Sequence, residues 1–400
     1  MELIRNWGSA IGWGLNRITK VFGNLLSLAT ACFTKVEKGK VMCWAYNFKQ
    51  YGCNPRYLTE HILDNENQFD IYWVFRKGID TSGVDSRIKC VRFRSLEYFR
   101  LVNSAEFLIT NSRTDPYRIY WHKRPGQKYL MLWHGGVALK KIEKDVESKL
   151  GYTYVSKAKA DSKVCDLMIS GCRFQTELLK EKFWYSGEIL EGGIPRSDIF
   201  FDKKQHKVIE DKVREYYSIP SDNKIVLYAP TFRRDHSISP YRIGWDTIIP
   251  ELKKVFDNHE VTVLVRLHPN LIGKVDTTSL ISYANVIDAT RYHDMQELLC
   301  ITDMLITDYS SSMFDMAMLG KPCLLYATDI NKYDRGYYFR FDSLPFPLSR
   351  SMEELKQVIS SFDYAGYHSK VKMFLHDTVG ISEDGNASRR ITKWMSEHQI

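Results

Sequence analysis

Cysteine is scarce. Eight are spread over 400 residues, with no Cys-x-x-C pair and no Cys and His at zinc-finger spacing, which argues against a disulfide scaffold and a thiolate zinc site. No uncharged stretch reaches the roughly 18 residues that a membrane-spanning helix needs; the run Val21 to Thr34 falls short. Neither G-x-x-x-x-G-K-[ST] nor G-x-G-x-x-G occurs, so the two best-known phosphate-cradling loops are missing. No Asp-x-Asp pair is present to chelate a metal–diphosphate, and no dedicated metal site is expected. Acidic residues are absent between Glu2 and Glu37. What the chain does have is ordinary globular material, 44% hydrophobic and 26% charged, which excludes a disordered or collagen-like polymer. Its net charge of +8 favours anionic partners without choosing among them. The cysteines sit mostly in apolar runs and read as reduced, buried thiols, which points to a reducing compartment.

The first 34 residues differ from the rest. Ile4, Trp7, Ile11, Leu15, Ile18, Phe22, Leu25 and Ala29 recur at helical spacing, with Arg5, Asn16, Arg17, Lys20 and Asn24 largely opposite. A secretory signal cut near Ala29-Thr30-Ala31 and a core-packing helix are alternatives. The basic character and the embedded Trp7 and Trp13 favour a segment lying in a membrane interface.

From residue 40 onward, short apolar runs alternate with helix-patterned stretches. Strands are expected at 41–46, 71–75, 107–110, 129–133 and 164–169, then at 225–229, 261–265, 286–287, 304–307 and 323–326. Between the two series, Asp202 to Asn223 is charged and reads as a linker or connecting helix. Continuous apolar strands separated by helices argue for parallel sheets covered on both faces, an α/β fold with ligands at the strand carboxyl ends. The divisions are an amphipathic segment 1–34, an amino-terminal Rossmann-like domain 35–205, a carboxyl-terminal Rossmann-like domain 206–375 and a closing helix 376–400.

The chemistry lies in the short segments just past the strands. His134-Gly135-Gly136 places an imidazole and two glycines, which let backbone approach a ligand, after one strand. Pro230-Thr231-Phe232-Arg233-Arg234 comes after another, and Arg266-Leu267-His268-Pro269 after a third. Asp308-Tyr309-Ser310-Ser311-Ser312 leads into a helix expected from Met313 to Leu319, a strand-to-helix switch suited to phosphate. Any one of these reads equally as a structural histidine, an N-cap or a solvated turn. Their clustering at the ends of parallel strands outlines a pyrophosphate pocket.

These blocks, taken with Leu139-Lys140-Lys141-Ile142, Gly193-Ile194-Pro195-Arg196-Ser197-Asp198, Asn54-Pro55-Arg56-Tyr57, Asp315, Lys321-Pro322 and Tyr333 to Phe339, resemble the CDP-glycerol glycerophosphotransferase family of teichoic acid synthesis. The resemblance runs from about residue 40 to 345. It departs at Gly136-Val137, where the family usually has Thr-Pro, and at a shortened Tyr333-Asp334-Arg335-Gly336. It implies a GT-B architecture of two Rossmann-like domains facing across a cleft. It also implies a CDP-glycerol or CDP-ribitol donor, a lipid-linked polymer acceptor, and peripheral attachment to an anionic membrane surface at the cytoplasmic face, with no nucleic-acid partner.

On that reading His134 is the general base and His268, with Arg233 and Arg266, stabilises the departing CMP phosphate. Thr231, Asp308, Ser310, Ser311 and Ser312 join the donor contacts, Gly135 and Gly136 form the acceptor loop, and any Mg²⁺ arrives with the nucleotide. A glycosyltransferase using a CMP- or UDP-sugar is the alternative on the same architecture. A non-catalytic basic module for polyanions is a third reading, disfavoured by two histidines facing one cleft.

Overall fold

A computed structural model describes residues 20–233, 237–268, 271–272, 278–331 and 336–400. The part of the amino-terminal segment before residue 20, with Trp7 and Trp13, lies outside them, as do Arg234, Pro269, Tyr333, Asp334 and Arg335.

Two parallel sheets in tandem form the molecule, as the alternating pattern predicts. The first has seven strands: β1 (Glu37–Trp44), β2 (Asp70–Phe75), β3 (Lys89–Arg92), β4 (Ala105–Thr110), β5 (Lys128–Met131), β6 (Leu167–Ser170) and β7 (Glu188–Glu191). Their order is β3-β2-β1-β4-β5-β6-β7. The second has six: β8 (Lys224–Tyr228), β9 (Val261–Val265), β10 (Val286–Asp288), β11 (Met304–Thr307), β12 (Cys323–Tyr326) and β13 (Leu348–Ser349), ordered β10-β9-β8-β11-β12-β13. Every pairing is parallel. Each sheet's carboxyl ends therefore share one edge, and the two edges face each other across a cleft, the GT-B arrangement. Both faces of each sheet are covered: Trp44, Tyr129 and Met131 pack on one side of the first sheet and Val41, Trp73 and Leu130 on the other.

The strands absent from the sequence reading are β3, β7 and β13, three of the four outer strands; the fourth, β10, is expected from Val286-Ile287. In β3 and β7 charge sits where an apolar run would otherwise mark a strand, at Lys89 and Arg92 and at Glu188 and Glu191, and β13 is only two residues long.

The stretch read as linker or connecting helix is a helix, Lys203–Tyr217, capped by Asp202, whose carboxylate accepts from the Lys204 and Gln205 amides. Its buried Ile209 and Val213 join the core of the second sheet. The chain finally crosses back to the first lobe. The helix Ala387–Glu397 lays Ile391, Trp394 and Met395 against Val41, Leu58 and Ile62, and the Asp198 carboxylate accepts from the Ala387 and Ser388 amides at 2.8 Å each. Gly193, at φ +126°, runs beneath this crossing, where an added Cβ would lie 2.9 Å from the Ala387 Cβ.

The helix over residues 20–32 reverses the usual amphipathic packing. Its polar face is turned inward. Asn24 donates to the Tyr117 carbonyl at 3.0 Å and meets the His122 ring at 3.0 Å, while Asn103 donates to the Ser27 carbonyl at 3.0 Å. Val21, Phe22, Leu25 and Leu28 are exposed, as is Phe33 just beyond them. No helix among the described residues is long and apolar enough to cross a membrane. All eight cysteines are free; Cys32 and Cys90 are exposed and the other six buried.

Candidate active site

A cavity of about 570 Å³ opens between the facing strand ends, and both histidines line it. The first lobe contributes Tyr46, His134, Gly135, Gly136, Lys140 and Arg196. The second contributes Thr231, Arg266, His268, Ser310, Ser311, Ser312 and Asp315. Residues 134 and 268 thus meet on one cleft from opposite lobes.

His134 comes after β5 through Trp133, which sits at φ +51°. A bulky residue in left-handed backbone costs of order 1–3 kcal/mol and persists only where its surroundings over-determine it. Here Asn54 donates to the carbonyls of Leu132 at 2.8 Å and Trp133 at 3.0 Å, and the Trp133 ring packs edge-on to Phe183 at 4.9 Å. The turn aims the imidazole into the cleft. Nδ1 lies 3.0 Å from the Asn111 carbonyl. A carbonyl can only accept, so this contact fixes the proton on Nδ1 and leaves Nε2 with its lone pair towards the cavity. Although the imidazole is accessible from the cleft, protein atoms crowd it: Trp133 is at 4.3 Å and Tyr46 at 6.3 Å between ring centres. Lost hydration, with Arg196 nearby and against the Asn111 bond, holds its pKa below the usual 6.5. Gln175 donates to the Gly135 carbonyl at 3.0 Å and steadies the glycine turn. A Cβ at Gly135 would meet nothing within 4 Å, so no protein contact demands glycine there and the space belongs to the cleft.

His268 faces the same space after β9, 5.5 Å from the Phe232 ring. Its pKa is also lowered, by burial first and then by Lys140 and Arg266. Arg266 donates to the Tyr292 carbonyl at 2.6 Å while lining the cavity. At the switch after β11, the Ser312 hydroxyl donates to Ser310 Oγ at 2.9 Å. The next helix, Ser312–Met318, begins one residue earlier than expected and has only seven residues. Its dipole is correspondingly small, and the serine hydroxyls carry more of the polarity of this wall.

Arg233 and Asp308, read from the sequence as donor contacts, are placed differently. Arg233 is buried and pairs with Asp308 at 2.8 Å and Asp329 at 2.7 Å, and neither Arg233 nor Asp308 lines the cavity. The Asp308 carboxylate also accepts from the Thr231 amide at 2.7 Å. The pair thereby braces the Thr231 turn from behind, and the cation expected beside His268 is supplied by Arg266 and, from the other lobe, Lys140.

Arg196 has no role assigned by the sequence reading, although its block belongs to the resemblance. It is buried, lines the cleft, and donates through Nη2 to both carboxylate oxygens of Asp315, at 2.9 Å each, across the lobes. Burial works against its charge, but Asp315 overrides that and holds the guanidinium above its ordinary pKa. Two buried polar atoms of lining residues, Arg196 Nε and Thr231 Oγ1, have no hydrogen-bond partner among the described residues. A further inter-lobe clasp joins Arg56 to Asp294 and Glu297 at 3.1 Å each and the Tyr57 hydroxyl to Asp294 at 2.9 Å. Among the described residues no three His, Cys, Asp or Glu side chains gather to hold a metal.

Residues 26–397 match the family described as CDP-Glycerol:Poly(glycerophosphate) glycerophosphotransferase. The teichoic acid poly(glycerol phosphate) polymerase of Staphylococcus epidermidis is 30% identical over 374 residues, 89% of this chain and 50% of that protein. The chain therefore spans about half the length of such polymerases. The teichoic acid glycerol-phosphate transferase of Staphylococcus aureus is 28% identical over 390 residues, 94% of this chain and 98% of that one. Relatives named for ribitol phosphate also occur. The solved wall teichoic acid polymerase TagF superposes with a TM-score of 0.80 at 27% identity, covering 97% of each chain. The chain belongs to the CDP-glycerol:poly(glycerophosphate) glycerophosphotransferase family.

Proposed function

We propose that the protein transfers a polyol phosphate, glycerol phosphate in the first instance, from a CDP-alcohol to a hydroxyl of a surface-polymer acceptor and releases CMP. The observation that carries this is the meeting of a neutral imidazole from one lobe with an imidazole, an arginine and three hydroxyls from the other, around a cavity of about 570 Å³. That volume lies within the range of small-molecule sites.

His134 Nε2 accepts the proton of the acceptor hydroxyl as that oxygen attacks the phosphorus bearing the alcohol. A base already neutral at pH 7 needs no prior deprotonation, and its contribution is about 10²–10⁴ in rate. The P–O bond to CMP breaks as the new one forms. Charge growing on the CMP phosphate is met by His268, Arg266 and the Ser310–Ser312 hydroxyls. Arg233 and Asp308 act by positioning Thr231 rather than by touching the donor. Any Mg²⁺ in this reaction is carried in on the diphosphate of the donor.

A lipid-linked acceptor fits an enzyme that docks on a membrane from the cytoplasmic side. The helix over residues 20–32 supports this, since it turns Val21, Phe22, Leu25 and Leu28 away from the body. Titrating the protein with CDP-glycerol, CDP-ribitol, a CMP-sugar and a UDP-sugar tests the assignment. Binding and turnover of a CDP-alcohol are expected; turnover of a nucleotide sugar alone would replace this reading with a glycosyltransferase.

A further inference from the structure

A second cavity, of about 1,210 Å³, lies beside the first, within the first lobe. It is formed at the carboxyl ends of β1 to β4, while His134 stands at the end of β5. Trp44, Phe48 and Phe93 form its aromatic floor, and Lys20, Arg76, Arg94, Arg113, Arg118 and Lys157 bring six cations to it against one carboxylate, Asp115.

These charges are not equally compensated. Arg113 is held by Glu143 and Asp161 at 3.1 Å each and serves as structure. Asp115 is shared by Arg118 and Lys157, both at 3.4 Å. Arg76 donates only to the Asn47 carbonyl, at 2.8 Å, and stacks over Phe93 at 5.8 Å. Arg94 lies over Phe93 and Tyr120 at 5.3 Å each. Neither Arg76 nor Arg94 meets a carboxylate among the described residues. The cations also burden one another: burial lowers the Lys20 pKa, and Arg118 and Lys157 lower it further. A concave, aromatic-floored site with uncompensated positive charge concentrates phosphate anions.

Its position says which phosphates. Only a thin wall separates it from the catalytic cleft. Tyr46 lines the cleft and Asn47 the basic cavity; the Asn111 carbonyl holds His134 while Arg113, two residues on, lines the other side. Phe183 lines the cleft, and its carbonyl accepts from Arg113 at 3.0 Å. On its outer side the cavity is bordered by Lys20 and Val21, which belong to the helix with the exposed apolar face. We propose that this cavity is an acceptor subsite which binds phosphodiester or diphosphate groups while the acceptor's hydroxyl end reaches His134, an assignment that rests on the transfer reaction above.

The test compares the intact protein with its Arg76→Gln/Arg94→Gln variant, each saturated with CMP to occupy the donor cleft. Inorganic pyrophosphate is titrated into both by calorimetry. The double variant is expected to bind it about tenfold more weakly or worse, with CMP affinity unchanged. Vesicles of phosphatidylcholine alone, or of equal parts phosphatidylcholine and phosphatidylglycerol, separate the source of the phosphate. A parallel loss on the anionic vesicles assigns the site to lipid headgroups. A loss confined to pyrophosphate assigns it to the acceptor's own phosphates. Should the double variant fold poorly, Lys157→Gln, which leaves the aromatic floor intact, is expected to weaken pyrophosphate binding in the same direction. Equal pyrophosphate affinity in all proteins, or none in the intact one, overturns the proposal. If the intact protein binds no CMP yet loses pyrophosphate on substitution, the donor reading falls while the anion site stands.

Discussion

At the scale of single residues, the base role proposed for His134 depends on one hydrogen bond. The Asn111 carbonyl at 3.0 Å fixes the tautomer, and the protein atoms crowding the ring lower its pKa. A base with a depressed pKa is competent above that pKa and lost as pH falls through it. The acidic limb of the kcat/KM profile is therefore expected to centre below pH 6.5; a midpoint above 6.5 would show that another group is the base. Which residue types reach the cleft was largely legible in the sequence, because strand-end blocks such as His134-Gly135-Gly136 and Arg266-Leu267-His268 name their own places in a parallel sheet. Pairing was not. Arg196 and Asp315 are 119 positions apart, and nothing local marks them as partners. Arg233 reads like a free guanidinium at a strand end because Asp329, which draws it inward, comes 96 residues later.

At the scale of elements, the interior strands and the edge strand β10 announced themselves as apolar runs, whereas the edge strands β3 and β7 carry charge and β13 has only two residues. The helix over residues 20–32 shows the opposite difficulty. Its apolar period is plain, but only the fold reveals that Asn24 and Ser27 face the body and Phe22 and Leu25 face away. The two faces should respond differently to substitution. Phe22→Ser with Leu25→Ser is expected to reduce sedimentation with anionic vesicles while shifting the melting temperature little. Asn24→Leu is expected to lower the melting temperature, by removing bonds to Tyr117 and His122 worth about 1 kcal/mol each. Unchanged vesicle binding in the double serine variant would place the membrane contact elsewhere.

At the scale of the whole molecule, the lobes are tied by charge as well as by chain. Arg56 clasps Asp294 and Glu297, Arg196 pairs with Asp315, and the helix Ala387–Glu397 returns to the first sheet. Near that return, the Glu383 carboxylate accepts from the Ile194 amide at 3.1 Å. Burial chiefly, with Asp198 and Asp315 adding to it, raises its pKa to about 8. An unfolded chain would ionise this group near its ordinary 4.5 while the folded protein keeps its proton, so between the two values the native state binds more protons and stability falls as pH rises. Glu383→Gln is expected to flatten that slope and to raise the melting temperature at pH 8 relative to the parent. A slope unchanged by the substitution would mean that the carboxyl is ionised in the folded protein.

The proposed transfer requires two imidazoles from opposite lobes to act on one donor. CMP release from CDP-glycerol in the presence of acceptor, measured for the parent, His134→Ala and His268→Ala alongside donor affinity, tests this most directly. The expected result is that each variant loses about 10²-fold or more in turnover, that His134→Ala still binds the donor like the parent, and that His268→Ala binds it more weakly. Near-parental CMP release by both variants would contradict it.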